Sequence, residues 1–162
     1  MEYQKLIERS KSRKKNIKAT LDKLSKMPVK QVDEFYHEEH ELAFEKINCL
    51  KCANCCKTTG PLFTSKDIER IAQHLKIKPG LFIDQYLRID EDKDYVLQKT
   101  PCIFLDEQNY CSIYSVRPRA CAEFPHTDRK NMKEISNLTF KNSQMCPAVA
   151  VILENIEQKI KS

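Results

Sequence analysis

Cys49-Leu50-Lys51-Cys52-Ala53-Asn54-Cys55-Cys56 places four thiols within eight residues. Thiolates spaced two residues apart wrap a soft metal in a tight turn, and few other tasks call for that density. Cys49, Cys52 and Cys55 recur every third residue, so one turn can aim all three sulfurs inward. A fourth ligand for that triplet has to come from elsewhere. Cys56 follows Cys55 directly, and adjacent side chains diverge, so Cys56 serves a second metal or a bridge.

Four more cysteines lie in the C-terminal half: Cys102, Cys111, Cys121 and Cys146. Cys102 and Cys111 open two expected strands, Cys102–Leu105 and Cys111–Tyr114, joined as a hairpin through Asp106-Glu107-Gln108-Asn109. That hairpin brings their α-carbons near each other. Cys121 falls in a short helix begun by Arg117-Pro118, with Pro in its first turn. Cys146-Pro147 caps the last helix, whose N-terminal end lowers a thiol pKa and favours thiolate. Two assignments fit. One is a pair of four-thiolate sites, each holding zinc or an iron–sulfur cluster; the other is one cluster plus structural thiols. The triplet with a remote Cys-Pro is reminiscent of bacterial ferredoxin ligation, but a ferredoxin's fourth cysteine is near in sequence and here it is far. Cys121 taken alone also reads as a small buried residue; four cysteines in eight residues do not.

The rest of the composition sharpens this by exclusion. In 162 residues there are only two glycines, Gly60 and Gly80, so neither a dinucleotide fingerprint nor a phosphate-binding P-loop can be built. Apolar residues make up 41 % and there is no Trp, so the core is modest and an internal metal staple matters. Structural zinc contributes roughly 10–16 kcal/mol, comparable with the whole net stability of a domain, about 5–15 kcal/mol. The start, Met1-Glu2-Tyr3-Gln4-Lys5-Leu6, runs into charge rather than an apolar segment, and nothing approaches the ~20 apolar residues of a membrane span. A cytoplasmic chain is expected, where thiols stay reduced and clustered cysteines mean metal more often than disulfides.

Charge is uneven. Residues 1–30 hold ten Lys/Arg against Glu2, Glu8 and Asp22; that segment carries +7 and the remainder −2 of the net +5. Residues 1–30 therefore read as a basic N-terminal helical arm and residues 31–162 as a cysteine-cluster metal-binding domain. The arm has a thin apolar stripe of Leu6, Ile17, Leu21 and Leu24, ended by Pro28. Its charge suits nucleic acid or an acidic partner, against the plainer reading of a solvated helix. With Tyr3 its only aromatic, base stacking is not expected.

Elsewhere, Val32, Phe35, Tyr36, Ala43 and Ile47 give an amphipathic helix over 32–47. Thr64-Ser65-Lys66-Asp67 is an N-cap signal for a helix bearing Ile68, Ile71, Ala72 and Leu75. Leu81 to Ile89 reads as a further short helix after Pro79-Gly80, Tyr95–Gln98 as a strand, and residues from Pro147 onward as an amphipathic helix. The whole is an α+β fold: a small, mainly helical single domain with a short β-hairpin, organised around cysteine-ligated metal. His126 ranks below every cysteine as a ligand, and His37, His40 and His74 read as helix-surface residues. No Ser/His/Asp set or carboxylate pair demands catalysis.

The cysteine run resembles the CxxCxxCC, or YkgJ-like, cysteine-cluster family of zinc- or iron-chelating domains. The likeness continues in Pro101-Cys102-Ile103-Phe104-Leu105, in Cys111-Ser112-Ile113-Tyr114 with Arg117-Pro118, in Arg119-Ala120-Cys121 with Phe124-Pro125, and in Cys146. It covers roughly residues 45–150. The resemblance implies metal ligation by Cys49, Cys52, Cys55, Cys56, Cys102, Cys111, Cys121 and Cys146. It implies little about activity: one relative of the domain is a flagellin lysine N-methylase, a longer protein whose extra regions this chain lacks. The functional expectations are thus a metal-binding protein, an iron–sulfur enzyme or electron carrier, or a nucleic-acid-associated protein acting through the basic arm. Arg117 beside the thiolates can tune a cluster by hydrogen bonding to sulfur, or can simply hold a carboxylate or cap the hairpin.

Overall fold

A computed structural model describes residues 2–162. Along the chain run α1 (Tyr3–Ser12), α2 (Lys14–Ser25), α3 (Val29–Lys46), α4 (Cys49–Cys52), α5 (Asn54–Thr58), β1 (Leu62–Phe63), α6 (Ser65–Leu75) and α7 (Pro79–Tyr86). They are followed by β2 (Leu87–Ile89), β3 (Tyr95–Leu97), α8 (Arg119–Glu123), α9 (Ser136–Ser143) and α10 (Pro147–Lys161). The protein is mainly helical with one small antiparallel sheet. Its backbone forms two compact units, residues 1–52 with 125–162, and residues 53–124. No helix among the described residues is long and apolar enough to cross a membrane.

In the first unit α10 is the central helix, packed by α1, α2, α3 and α9. The apolar periodicity from Pro147 onward explains why: Val149, Ile152, Leu153 and Ile156 are all buried. The thin stripe of the N-terminal segment is buried too, with Ile7, Ile17, Leu21 and Leu24 in the core. The segment is not one helix; it breaks at Arg13, whose backbone leaves helical geometry. The break lets Arg9 and Arg13 turn to α10, where Arg9 pairs with Glu154 at 2.6 Å and Arg13 with Glu157. Glu39, buried on α3, receives Asn155 at 2.8 Å and Lys159 at 2.9 Å.

Glu157 gives a pH signature. A hydrogen bond from Lys161, then the charges of Arg13 and Lys161, outweigh burial and hold its carboxyl below the usual range. A carboxyl lowered by folding stabilises above its unfolded pKa, about 4.3 for Glu, and that contribution fades as pH falls through the folded value. Glu157→Gln is expected to cost about 1 kcal/mol at neutral pH. The gap from wild type, read from denaturation midpoints, should narrow as pH falls below the usual Glu value; a gap that does not narrow on acidification would contradict the assignment.

In the second unit the Thr64 signal forms a complete capping box. The Asp67 amide donates to Thr64 Oγ1 at 3.1 Å and the Thr64 amide to Asp67 Oδ2 at 2.9 Å. The core is Phe63, Ile68, Ile71, Ala72, Phe82, Leu87, Leu97, Phe104 and Ile113. The sheet has the order β1-β3-β2, with Phe63 opposite Tyr95 and Leu87 opposite Leu97. This corrects the expected hairpin. The real one joins Leu87–Ile89, read as the end of a helix, to Tyr95–Leu97. Between Cys102 and Cys111 there is a single antiparallel bridge, Leu105 to Cys111. Strands cannot extend there because Asp106 Oδ1 draws the amides of Gln108 and Tyr110, each at 2.8 Å, into a closed loop. Pro118 likewise sits at the N-cap of α8 rather than within its first turn.

Candidate metal centre

The cysteine run is not one turn. It is two short helices, α4 and α5, joined at Ala53, whose backbone is left-handed at φ 47°. The division between units falls at this joint. Cys49 and Cys52 belong with Cys146, and Cys55 and Cys56 with Cys102, Cys111 and Cys121. Among the described residues no disulfide joins any of the eight.

Backbone hydrogen bonds gather the second group. The Cys102 amide donates to the Cys56 carbonyl at 2.8 Å, which sets those residues side by side. Cys102 begins a turn closed by the Leu105 amide at 3.1 Å, and Leu105 bridges to Cys111. Cys111 begins another turn, closed by the Tyr114 amide at 3.2 Å. Cys121 sits in α8, its amide on the Pro118 carbonyl at 2.9 Å. The turns aim amide groups back at sulfur: those of Phe104 and Leu105 favour the Cys102 thiolate, and that of Ile113 favours the Cys111 thiolate. Amides directed at sulfur two and three residues upstream are the outer support that holds thiolate ligands in place.

Electrostatics agree with the grouping. Burial pushes the Cys121 thiol up to about 12, and charge on Cys56, Cys102 and Cys111 pushes the same way. Cys102 is raised by burial and then by Cys56 and Cys111; Cys111 is raised by burial and then by Cys56. Cys56 is the exception, lowered to about 7 chiefly by a hydrogen bond from Cys55. Charge on Cys56 opposes ionisation of Cys102, Cys111 and Cys121, and a soft cation relieves that repulsion. The sulfurs are neighbours rather than a closed shell. Among the described residues, no three His, Cys, Asp or Glu side chains converge tightly enough to hold an ion. The donor chemistry nonetheless fits zinc or iron: four sulfurs, turn-borne, with amides behind them.

In the first unit Cys146 is the N-cap of α10 and is buried. Its thiol was expected to be lowered by the helix N-terminus. Burial instead raises it to about 12, with the charges of Cys49 and Cys52 adding; the Ala148 and Val149 amides oppose this without closing a full cap hydrogen bond.

Arg117 stands where the sequence suggested a tuning cation. Its charge favours the thiolates of Cys111 and Cys121. Its guanidinium stacks 4.2 Å from the Tyr114 ring centre and donates to the Tyr114 carbonyl at 2.9 Å. His37 and His40 share a face of α3, and both reach the 127–129 loop: His37 Nε2 bonds the Arg129 carbonyl and His40 Nδ1 the Thr127 hydroxyl, each at 2.8 Å.

Sequence reasoning missed Asp67 and Arg70. Asp67 is buried, its Oδ1 accepting from Arg70 at 2.7 Å and from the Arg119 amide at 3.1 Å. Burial alone would raise its carboxyl, but these bonds and those of Thr64 outweigh it and hold the carboxyl low. Arg70 also donates to the carbonyls of Val116 at 3.2 Å and Arg117 at 2.8 Å. The Thr64–Asp67 cap was visible in the sequence; its second task, on a segment far along the chain, was not.

Residues 48–147 match the family model CxxCxxCC, described as a "putative zinc- or iron-chelating domain". The chain is 36 % identical over 83 residues to the uncharacterised protein MJ0661 of Methanocaldococcus jannaschii, a match covering 49 % of this chain and 44 % of that one. The match thus spans less than half of that relative's length. No solved structure matches the chain.

Proposed function

From the chain's membership of the CxxCxxCC family, we propose that it is a metal-binding protein of the cytoplasm whose eight cysteines supply two separate thiolate sets. One set is Cys56, Cys102, Cys111 and Cys121, with Cys55 beside Cys56; the other is Cys49, Cys52 and Cys146. The observation that supports the reading lies in the first set: backbone bonds link Cys56, Cys102 and Cys111 within residues 53–124, and sulfur-directed amides back Cys102 and Cys111. Zinc or an iron–sulfur cluster would be held there, supplying a cross-link to the fold and, if iron, an electron-accepting centre. The protein's own part is to bury the sulfurs, orient them by turns and offset their charge with Arg117 and the amides.

Two sets predict two classes of cysteine substitution. Cys121→Ser should lower bound metal by one centre and leave the other at full occupancy; Cys146→Ser should do the converse, and the double variant should hold neither. Metal analysis of anaerobically prepared protein checks this. Loss of all metal in either single variant would mean one shared centre and would sink the two-set reading.

A further inference from the structure

We propose that Asp67 and Arg70 are positioning residues that deliver Cys121 to the other three thiols of its set. The inference rests on the metal-binding reading above and extends it to two side chains that touch no sulfur.

The segment that carries Cys121 is short, with Val116 packed on the core and Pro118 buried before it. α8 has five residues, too few to be stable as an isolated helix. Its first amide, on Arg119, has no partner within the helix, as for any helix start, and the carbonyls of Val116 and Arg117 precede it. Asp67 and Arg70, one turn apart on α6, satisfy all three groups. Asp67 Oδ1 takes the Arg119 amide, Arg70 Nε and Nη2 donate to the Val116 and Arg117 carbonyls, and the Asp67–Arg70 pair locks the two side chains together. From that anchor the chain passes through Pro118, whose carbonyl accepts from both Cys121 at 2.9 Å and Ala122 at 3.0 Å. The place of Cys121 is thereby tied to α6, which is itself seated in the core through Ile68, Ile71 and Ala72. A guanidinium can fork to two carbonyls and a carboxylate in one plane; an ammonium cannot. The sequence pair Asp67-x-x-Arg70 is therefore specific to this task, not merely a favourable helix pair.

The test uses the full chain, reduced and anaerobic, with zinc alone as the probe, titrated against a chromophoric chelator. Arg70→Gln and Arg70→Lys are compared with Glu69→Gln, an exposed neighbour on the same helix that makes none of these bonds. Arg70 is itself partly exposed, so its variants retain the core. Both Arg70 variants should weaken one zinc by roughly 10–100-fold, and Glu69→Gln should not. Coupling supplies the second readout. In a Cys121→Ser background, which lacks that centre, adding Arg70→Gln should leave the remaining zinc unchanged. If Arg70→Gln binds both zincs as wild type does, the positioning role is wrong and the metal reading stands. If it weakens the remaining zinc equally in the Cys121→Ser background, the effect is general destabilisation and the role is also wrong. A wild-type chain that takes up no zinc or iron would overturn the metal reading and this inference with it.

Discussion

Stripping the metal with a strong chelator, under reducing and anaerobic conditions, is expected to unfold residues 53–124. That unit holds one cluster of nine buried residues around Phe82, and its elements are short: strands of two and three residues and helices of five, eight and eleven. A unit of this size with so small a core is marginal without a cross-link. Thiolate ligation of zinc contributes roughly 10–16 kcal/mol, more than such a core supplies, so removal should take the unit below its folding threshold. In hydrogen exchange, protection should vanish across α6, α7 and β3. Buried α10, packed by α1, α2 and α3, should keep most of its own protection. An unchanged thermal transition in chelated protein would remove the metal from any structural role.

Phe82→Ala should be the most damaging substitution outside the cysteines. Phe82 is fully buried, with ring centres of Phe63, Tyr86 and Phe104 at 6.0, 5.2 and 6.2 Å. Truncating a buried Phe costs about 3–5 kcal/mol through lost burial and the cavity left behind, against roughly 5–15 kcal/mol for a whole domain. The damage should reach the centre. Phe104 leans on Phe82, lies two residues past Cys102, and accepts the Ser112 amide at 2.8 Å beside Cys111. Urea titration should place the metal-free variant largely unfolded, with metal restoring part of the loss by mass action. A shift below about 1 kcal/mol would show that the aromatic cluster is not the core of this unit.

The sequence was legible where its signals were local. For α6, cap and period agree: Thr64 and Asp67 at the start, and Ile68, Ile71 and Ala72 buried; the helix stops at a left-handed Lys76, ahead of the expected breaker Pro79-Gly80. α10 was equally plain. The sheet was not, because strands of two or three residues carry no period; Leu62–Phe63 passed unseen and Leu87–Ile89 looked like more helix. α9 and the turn before it, spanning Met132–Ser143, hid in a polar stretch whose capping is supplied from afar: Asp33 on α3 accepts the amides of Asn131 at 2.8 Å and Met132 at 2.9 Å. All eight cysteines were visible as candidate ligands. How they sort was not, since it depends on distant pairings such as the Cys102 amide on the Cys56 carbonyl, and on a backbone joint at Ala53 that no spacing rule announces. The same limit hid the Asp67–Arg70 anchor.

Metal binding by the thiolates of this chain is read by X-ray absorption at the metal edge of anaerobically purified protein. The expected result is zinc or iron with a first shell of sulfur at about 2.3 Å; iron–iron scattering and visible absorption in the same sample would mark a cluster, and their absence with zinc present a mononuclear site. Protein without metal, or metal whose first shell is nitrogen and oxygen, would contradict it.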